Sequence, residues 1–167
     1  MLLTMRLLHV VLGIFWAGTI VFNALYLQPA MADAGPDGAK VMASLMRRHF
    51  LVVMPVVGFV TIVSGLWLYW HVSAGFQADY MGSSTGMAIG VGTIAALAAF
   101  AIGVGILRPA MMRAGALSQA AMQAPAPERD AHLATAQALR MRAAIAGRVV
   151  AALLTIAAIT MAVARYV

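Results

Sequence analysis

Four long apolar stretches constrain this chain more than any other feature of its sequence. They cover residues 2–27, 50–70, 87–107 and 143–164, and 63% of all residues are hydrophobic while only 10% are charged. A helix needs roughly 20 apolar residues to cross the hydrocarbon core of a bilayer. The mean hydropathy of +0.93 lies far above that of soluble domains. The sequence therefore predicts an all-α integral membrane protein, an antiparallel four-helix bundle that forms a single domain over residues 1–167.

The region between the third and fourth spans predicts a helical hairpin outside the bilayer. An Ala- and Met-rich amphipathic segment follows Arg108-Pro109, and Ala124-Pro125-Ala126-Pro127 then breaks the helix. A second helical segment leads from Glu128 into the last span. We expect the hairpin to cover residues 108–142, and we find no sequence repeat between the two halves of the chain.

The distribution of basic residues predicts the orientation in the membrane. The first and third loops with their helix ends hold nine Lys and Arg residues, whereas the opposite side holds only Arg6 and Arg165. The nine are Lys40, Arg47, Arg48, Arg108, Arg113, Arg129, Arg140, Arg142 and Arg148. Cytoplasmic loops carry such an excess, so both termini are expected outside the cytoplasm and the hairpin inside. The net charge of +6 follows from this topology, and it does not predict a nucleic-acid partner.

The few polar side chains of the first span line up on one helical face. Steps of four and three residues connect Met5, His9, Leu12, Trp16, Thr19, Asn23 and Tyr26. The opposite face is aliphatic, with Leu7, Val11 and Ile14 among its members. We expect the front to face the bundle and to carry any function. The alternative is that its amides and hydroxyls only form hydrogen bonds that hold neighbouring helices together.

A histidine within the bilayer requires a partner, and His9 is therefore the main candidate for cofactor binding. In a helix bundle an imidazole can ligate haem iron. We expect a b-type haem or another planar porphyrin in the outer half of the bundle, in a pocket walled by His9, Leu12, Trp16, Gly58, Thr61 and Gly65. His71 or Met5 is the candidate sixth ligand, and Arg6 is placed to pair with a propionate. The alternative is an imidazole that hydrogen-bonds a neighbouring helix, through Thr61 or a water.

Two other classes of function stay open. The chain has 13 methionines and no cysteine, and thioether and imidazole ligands suit Cu(I). Met5 with His9, and His71 at the same side, would form the copper site. The third class is a membrane scaffold or a small-molecule-binding subunit without chemistry. No catalytic motif is present, so catalytic residues and enzymatic activity are left unassigned.

Small residues repeat along the third span and indicate close helix packing. Glycines and alanines recur from Gly86 through Ala99 to Gly103. Such small-xxx-small patterns let helix backbones approach within a bilayer. The pattern fits packing within the chain and also permits a homodimer.

Several short motifs resemble known membrane families. They are Leu7-Leu8-His9-Val10, Trp16-Ala17-Gly18, Pro29, Met46-Arg47-Arg48, Pro55 and Gly65. The chain resembles an uncharacterised family of four-span bacterial membrane proteins, which implies the bacterial inner membrane. It is more loosely similar to HemJ-type protoporphyrinogen oxidases, in which the histidine corresponding to His9 is implicated in haem binding. It is also loosely similar to the membrane domain of copper-resistance protein D, which is associated with copper uptake. The HemJ family also needs a lysine in its third span, and this chain has none there.

Overall fold

The protein is built from four long helices and two short ones. The computed structural model describes residues 1–167 apart from the side chain of Pro36. The long helices are α1 (Leu2–Asp33), α3 (Phe50–Val72), α5 (Ser84–Ala121) and α6 (Ala126–Tyr166), and each is long and apolar enough to cross a membrane. The short helices are α2 (Pro36–Arg47) and α4 (Ala78–Met81). The described residues contain no strand. The predicted all-α membrane bundle is confirmed, and the chain is a multi-pass membrane protein.

The four long helices surround a common centre in the order α1, α3, α5, α6. Helix α1 packs closely on α3 and also contacts α6, and α5 packs closely on α6. The pair α3 and α5 is packed more loosely than α1 with α3. Both chain termini and the 73–83 loop lie at one end, here named the terminal side. Helix α2 and the turn at residues 122–125 lie at the other end, here named the hairpin side, where α5 and α6 extend as the predicted hairpin.

Two of the long helices each contain one wider turn just before a proline. These π-helical turns cover Asn23–Leu27 in α1 and Gly103–Leu107 in α5. The N–H of Gln28 donates to the carbonyl of Asn23, and that of Arg108 donates to Gly103. Proline lacks an N–H, and its ring collides with the carbonyl four residues earlier. The wider turn moves that carbonyl away, so both helices continue through their prolines instead of ending there.

The two π turns reveal a repeat that the sequence analysis missed. Leu27-Gln28-Pro29-Ala30-Met31 follows the first turn, and Leu107-Arg108-Pro109-Ala110-Met111 follows the second. Each motif is followed by a break, and each break by a new helix that opens on proline, in α2 and in α6. The expectation of no repeat overlooked this short motif. The shared motif is only five residues long and lies within dissimilar apolar sequence, so it becomes visible only beside the two π turns.

Small residues bring α5 and α6 into close contact. Gly92, Ala95 and Ala99 are buried on the face of α5 that meets α6. A Cβ atom placed on Gly92 would lie 2.7 Å from Oγ1 of Thr160 in α6. Side chains from α1, α5 and α6, including Ile20 and Leu154, complete the core around this contact. The small-residue face of the third span is thus used within the chain, and homodimer formation stays a prediction.

Candidate functional site

The polar stripe of α1 faces the bundle over most of its length. Its members from Met5 to Asn23 are buried or half-buried. Its last member, Tyr26, is 65% exposed, so this part of the prediction is wrong. The π turn at Asn23–Leu27 rotates the following part of the helix relative to an ideal 3.6-residue period. Ala24 and Gln28 are consequently turned inward in place of Tyr26.

His9 lies in a notch that Gly65 forms on the facing helix. Its Nδ1 is 2.8 Å from the carbonyl oxygen of Thr61 in α3. A carbonyl only accepts, so Nδ1 carries the proton and donates it. A Cβ atom placed on Gly65 would lie 2.5 Å from Cε1 of the imidazole. His9 therefore joins α1 to α3, which is the hydrogen-bonded alternative considered for this residue.

Trp16 fills a second notch in the middle of the bundle. It is only 5% exposed, and a Cβ atom on Gly58 would lie 2.9 Å from its Cε2. The ring of Phe100 in α5 meets the indole edge to face, with ring centroids 6.2 Å apart. The indole thus spans the centre of the bundle from α1 to α5. It separates the half that contains His9 from the hairpin-side half.

The residues predicted to wall a porphyrin pocket are brought together, but their own side chains fill the space. The imidazole occupies the notch at Gly65 and the indole occupies the notch at Gly58. Because Nδ1 donates to Thr61, Nε2 stays free as a possible ligand atom. A porphyrin at this place would have to displace the rings from their notches. Haem b binding stays a prediction.

The remaining predicted ligands are dispersed at the terminal side. His71 is exposed and stacks on Trp67, with ring centroids 5.2 Å apart. Arg6 is exposed, and Met5 is half-buried one turn before His9. Among the described residues, no three His, Cys, Asp or Glu side chains come together as a metal site. A copper site built on Met5 and His9 likewise stays a prediction.

The terminal side of the bundle is tightly packed. The Tyr69 hydroxyl is buried and donates to the carbonyl of Gly86 at 2.8 Å. Ser73 is 1% exposed, and its hydroxyl accepts from the N–H of Phe76 at 2.9 Å. The rings of Phe76 and Tyr80 pack against Tyr69. The 73–83 loop therefore covers this end of the helices.

The hairpin-side half contains a cleft beneath Trp16. All four long helices line it: Trp16, Ile20, Asn23 and Ala24 from α1; Phe50, Leu51, Met54 and Pro55 from α3; Ala99, Phe100, Gly103, Val104, Leu107 and Arg108 from α5; Gly147 and Val150 from α6. Its volume is about 60 Å³, and its lining is mostly apolar, with Asn23 and Arg108 as the polar side chains. The cleft is partly open, and we infer that its opening lies between α3 and α5, the neighbouring long helices that pack most loosely.

Arg108 crosses the gap between α3 and α5 because of a proline on the other side. Its Nε donates to the carbonyl oxygen of Leu51 at 3.1 Å. In a regular helix that carbonyl would accept from the N–H of residue 55, but Pro55 has none. The arginine of one span therefore supplies the donor that the neighbouring span lacks. This contact fixes a half-buried guanidinium beside the cleft.

The cleft lies in the other half of the bundle from the predicted porphyrin pocket. Of the predicted pocket residues only Trp16 lines the cleft. The available signal was the set of prolines near the hairpin-side ends of the first three spans, at Pro29, Pro55 and Pro109. Each proline removes a backbone donor and widens or opens a helix locally.

Comparisons with protein-family models, with curated proteins and with solved structures found no match to this chain. The resemblance described from its short motifs therefore stays a prediction.

Proposed function

We propose that this protein is a membrane-embedded binding protein that accepts the apolar chain of a small molecule from the bilayer into the cleft beneath Trp16. The observation that carries the proposal is the cleft itself, which is apolar, open on one side and lined by all four spans. Its lining offers an apolar contact surface and one cationic side chain. Acid–base catalysis would instead need a group positioned to transfer a proton to or from a substrate. Binding without catalysis, as a carrier or subunit, is the function this lining supports best.

The size of the cleft favours a narrow chain over a ring system. Sites that hold drug-sized ligands enclose roughly 300–1,000 Å³, and this cleft encloses about 60 Å³. A porphyrin is too large for that volume, whereas the end of a single acyl or isoprenoid chain fits beside Gly103. No side-chain atom lies within 4 Å of a Cβ placed on this glycine, so the cleft has room at this point.

We further infer that the protein lies in the bacterial inner membrane with its hairpin side in the cytoplasm. The support is the excess of Lys and Arg on that side, nine against two. Both termini and the 73–83 loop then face the periplasm. The cleft opens in the cytoplasmic half of the bilayer, so a ligand would enter from the inner leaflet.

Fluorescence of Trp16 tests chain binding directly. In a Trp67→Phe/Trp70→Phe background, Trp16 is the sole tryptophan, and its burial keeps bulk lipid away from the indole. Lipids with brominated acyl chains quench an indole only at close contact. We expect quenching when this variant is placed in bilayer nanodiscs that contain brominated phospholipid.

A matched pair of glycine substitutions distinguishes the cleft from the lipid-facing surface. Gly103 and Gly105 lie in the same π turn, and a Cβ on either meets no atom within 4 Å, but only Gly103 lines the cleft. Gly103→Phe should reduce quenching to the level seen with unbrominated lipid, whereas Gly105→Phe should leave it unchanged. Absence of quenching in the parent, or equal quenching in both variants, would overturn the proposal.

A further inference from the structure

We propose that the ligand of this cleft is an anionic phospholipid of the surrounding leaflet, and that Arg108 binds its phosphate while one acyl chain enters beneath Trp16. This inference rests on the proposed function, because it specifies the headgroup of a molecule whose chain occupies the cleft. Its basis is the placement of one arginine at the boundary between an apolar cavity and the membrane surface.

The backbone contact of Arg108 leaves most of its guanidinium available. Nε donates to Leu51, which holds the side chain across the opening between α3 and α5. Among the described residues, the other N–H groups of this guanidinium have no hydrogen-bond acceptor within the protein. A guanidinium presents its donors in a fork that matches the oxygens of a phosphate. The group is therefore positioned and has donors left for a ligand.

The charge of Arg108 also lacks a protein counterion. Within the part of the chain that the structure describes, the carboxylates close to basic groups are Asp37 at Lys40, Asp130 at Arg129 and Glu128 at His132. None of these lies within 4 Å of Arg108. A half-buried cation near a bilayer is costly without an anion. Charge complementarity therefore favours an anionic ligand.

The internal repeat places a neutral side chain in α1 at the position where α5 carries an arginine. Gln28 holds in α1 the position that Arg108 holds in α5, each directly before the proline that follows a π turn. Its side-chain amide approaches α6, where Nε2 would lie 3.6 Å from a Cβ placed on Gly147. A neutral side chain thus occupies this position in the other half. The arginine adds a charge at the one repeat position that lies beside an open cleft.

The position of Arg108 along its helix identifies the membrane as the source of the anion. Arg108 directly follows the apolar part of α5, where that span reaches the headgroup region. Two further arginines, Arg47 and Arg48, precede the α3 residues that line the cleft. An anion bound there is adjacent to a cavity that accepts hydrocarbon. A molecule with both parts is an amphiphile, and basic pockets between spans on the cytoplasmic side are typical sites for anionic lipid headgroups.

Headgroup selectivity is measured with the same single-tryptophan protein. Nanodiscs of phosphatidylcholine receive increasing mole fractions of brominated phosphatidylglycerol in one series and of brominated phosphatidylcholine in the other. We expect half-maximal quenching at an about fivefold lower mole fraction of the anionic lipid, which is the preference that one arginine near the surface contributes. Arg108→Gln keeps a donor for Leu51 and removes the charge, so this preference should disappear while quenching persists.

Arg113→Gln is the matched control, since it removes the same charge five positions further along α5, where the side chain is exposed and outside the cleft. It should retain the preference for the anionic lipid. Equal quenching by the two lipids in the parent protein would overturn this inference and leave chain binding intact. A loss of preference in Arg113→Gln as large as in Arg108→Gln would also overturn it, because general attraction to a basic protein would then explain the effect. Quenching by neither lipid would instead reject the proposed function.

Discussion

At the residue scale, two glycines determine how closely α1 and α3 approach. Gly65 receives the imidazole of His9, and Gly58 receives the indole of Trp16. Each ring fills a space that a side chain on α3 would otherwise occupy. The hydrogen bond from His9 to Thr61 forms only because the imidazole reaches the backbone of α3 through the first notch. The close packing of α1 on α3 and the hydrogen bond of His9 therefore both depend on Gly65.

We predict that Gly65→Ala destabilises the protein by about 1–3 kcal/mol, the usual cost of inserting a methyl group into a packed site. The added Cβ would lie 2.5 Å from the ring of His9, which must move and lose its bond to Thr61. Thermal unfolding in detergent micelles, followed by circular dichroism, measures the change. Adding His9→Ala to this variant should recover part of the loss, because the clash is then absent.

Gly18→Ala is the matched control for that experiment. It lies in the middle of α1, and no atom is within 4 Å of its added Cβ. Alanine is favoured over glycine within a helix, so stability should stay equal or rise slightly. If Gly65→Ala were as stable as Gly18→Ala, the notch would not be a tight contact.

At the scale of whole elements, prolines near the hairpin-side ends of three spans shape the region around the cleft. In α1 and α5 a π turn absorbs the proline. In α3 the helix continues regularly through Pro55, and the carbonyl of Leu51 obtains its donor from Arg108. The missing N–H of proline is thus accommodated in two ways. In the second, the side chain of Arg108 connects α5 to α3, which pack loosely on each other.

We predict that the effect of Arg108→Leu on stability depends on Pro55. In the parent, this substitution leaves the half-buried carbonyl of Leu51 without a donor, which costs about 1–3 kcal/mol. In a Pro55→Ala background, the N–H restored at position 55 serves that carbonyl, so Arg108→Leu should cost much less. A double-mutant cycle on unfolding free energies measures the coupling. Equal costs in the two backgrounds would show that the carbonyl does not need the arginine.

At the scale of the whole molecule, the bundle is asymmetric along its axis. The terminal side is covered by the 73–83 loop, whereas the hairpin side contains the cleft and both π turns. The two halves of the chain share the sequence of span, π turn, proline and second span. Their main difference beside the cleft is Arg108 in place of Gln28. The site proposed for lipid binding accordingly lies at the hairpin side.

The proposed orientation predicts the location of two loops. Reporter fusions after Gly38, in α2, and after Pro127, at the start of α6, should both show cytoplasmic activity in bacteria, because basic loops remain inside. A fusion at Gly82, in the loop of the terminal side, is the control and should report the periplasm. A periplasmic signal from either of the first two fusions would contradict the proposed topology.

Most of the fold follows from the sequence alone. Apolar length specifies four spans, since a polar backbone in hydrocarbon must form helices of bilayer thickness. Pro125 and its neighbours specify the hairpin, and the small residues of the third span specify close packing. The inward direction of His9 and Trp16 follows from the helical period. These features depend on local chemistry and periodicity, which a single sequence contains.

The position of the cavity was decided only by the tertiary structure. Sequence periodicity shows which side chains face the bundle, but it does not show whether they fill the space between helices. His9 and Trp16 fill the predicted slot because glycines on α3 let α1 come close, whereas the cleft forms where α3 and α5 separate. The π turn at Asn23–Leu27 changes the helical phase, and Tyr26 is exposed. The hydrogen bond from Arg108 to Leu51 joins residues 57 positions apart. Such contacts arise from how whole helices pack, and no local pattern in the sequence specifies them.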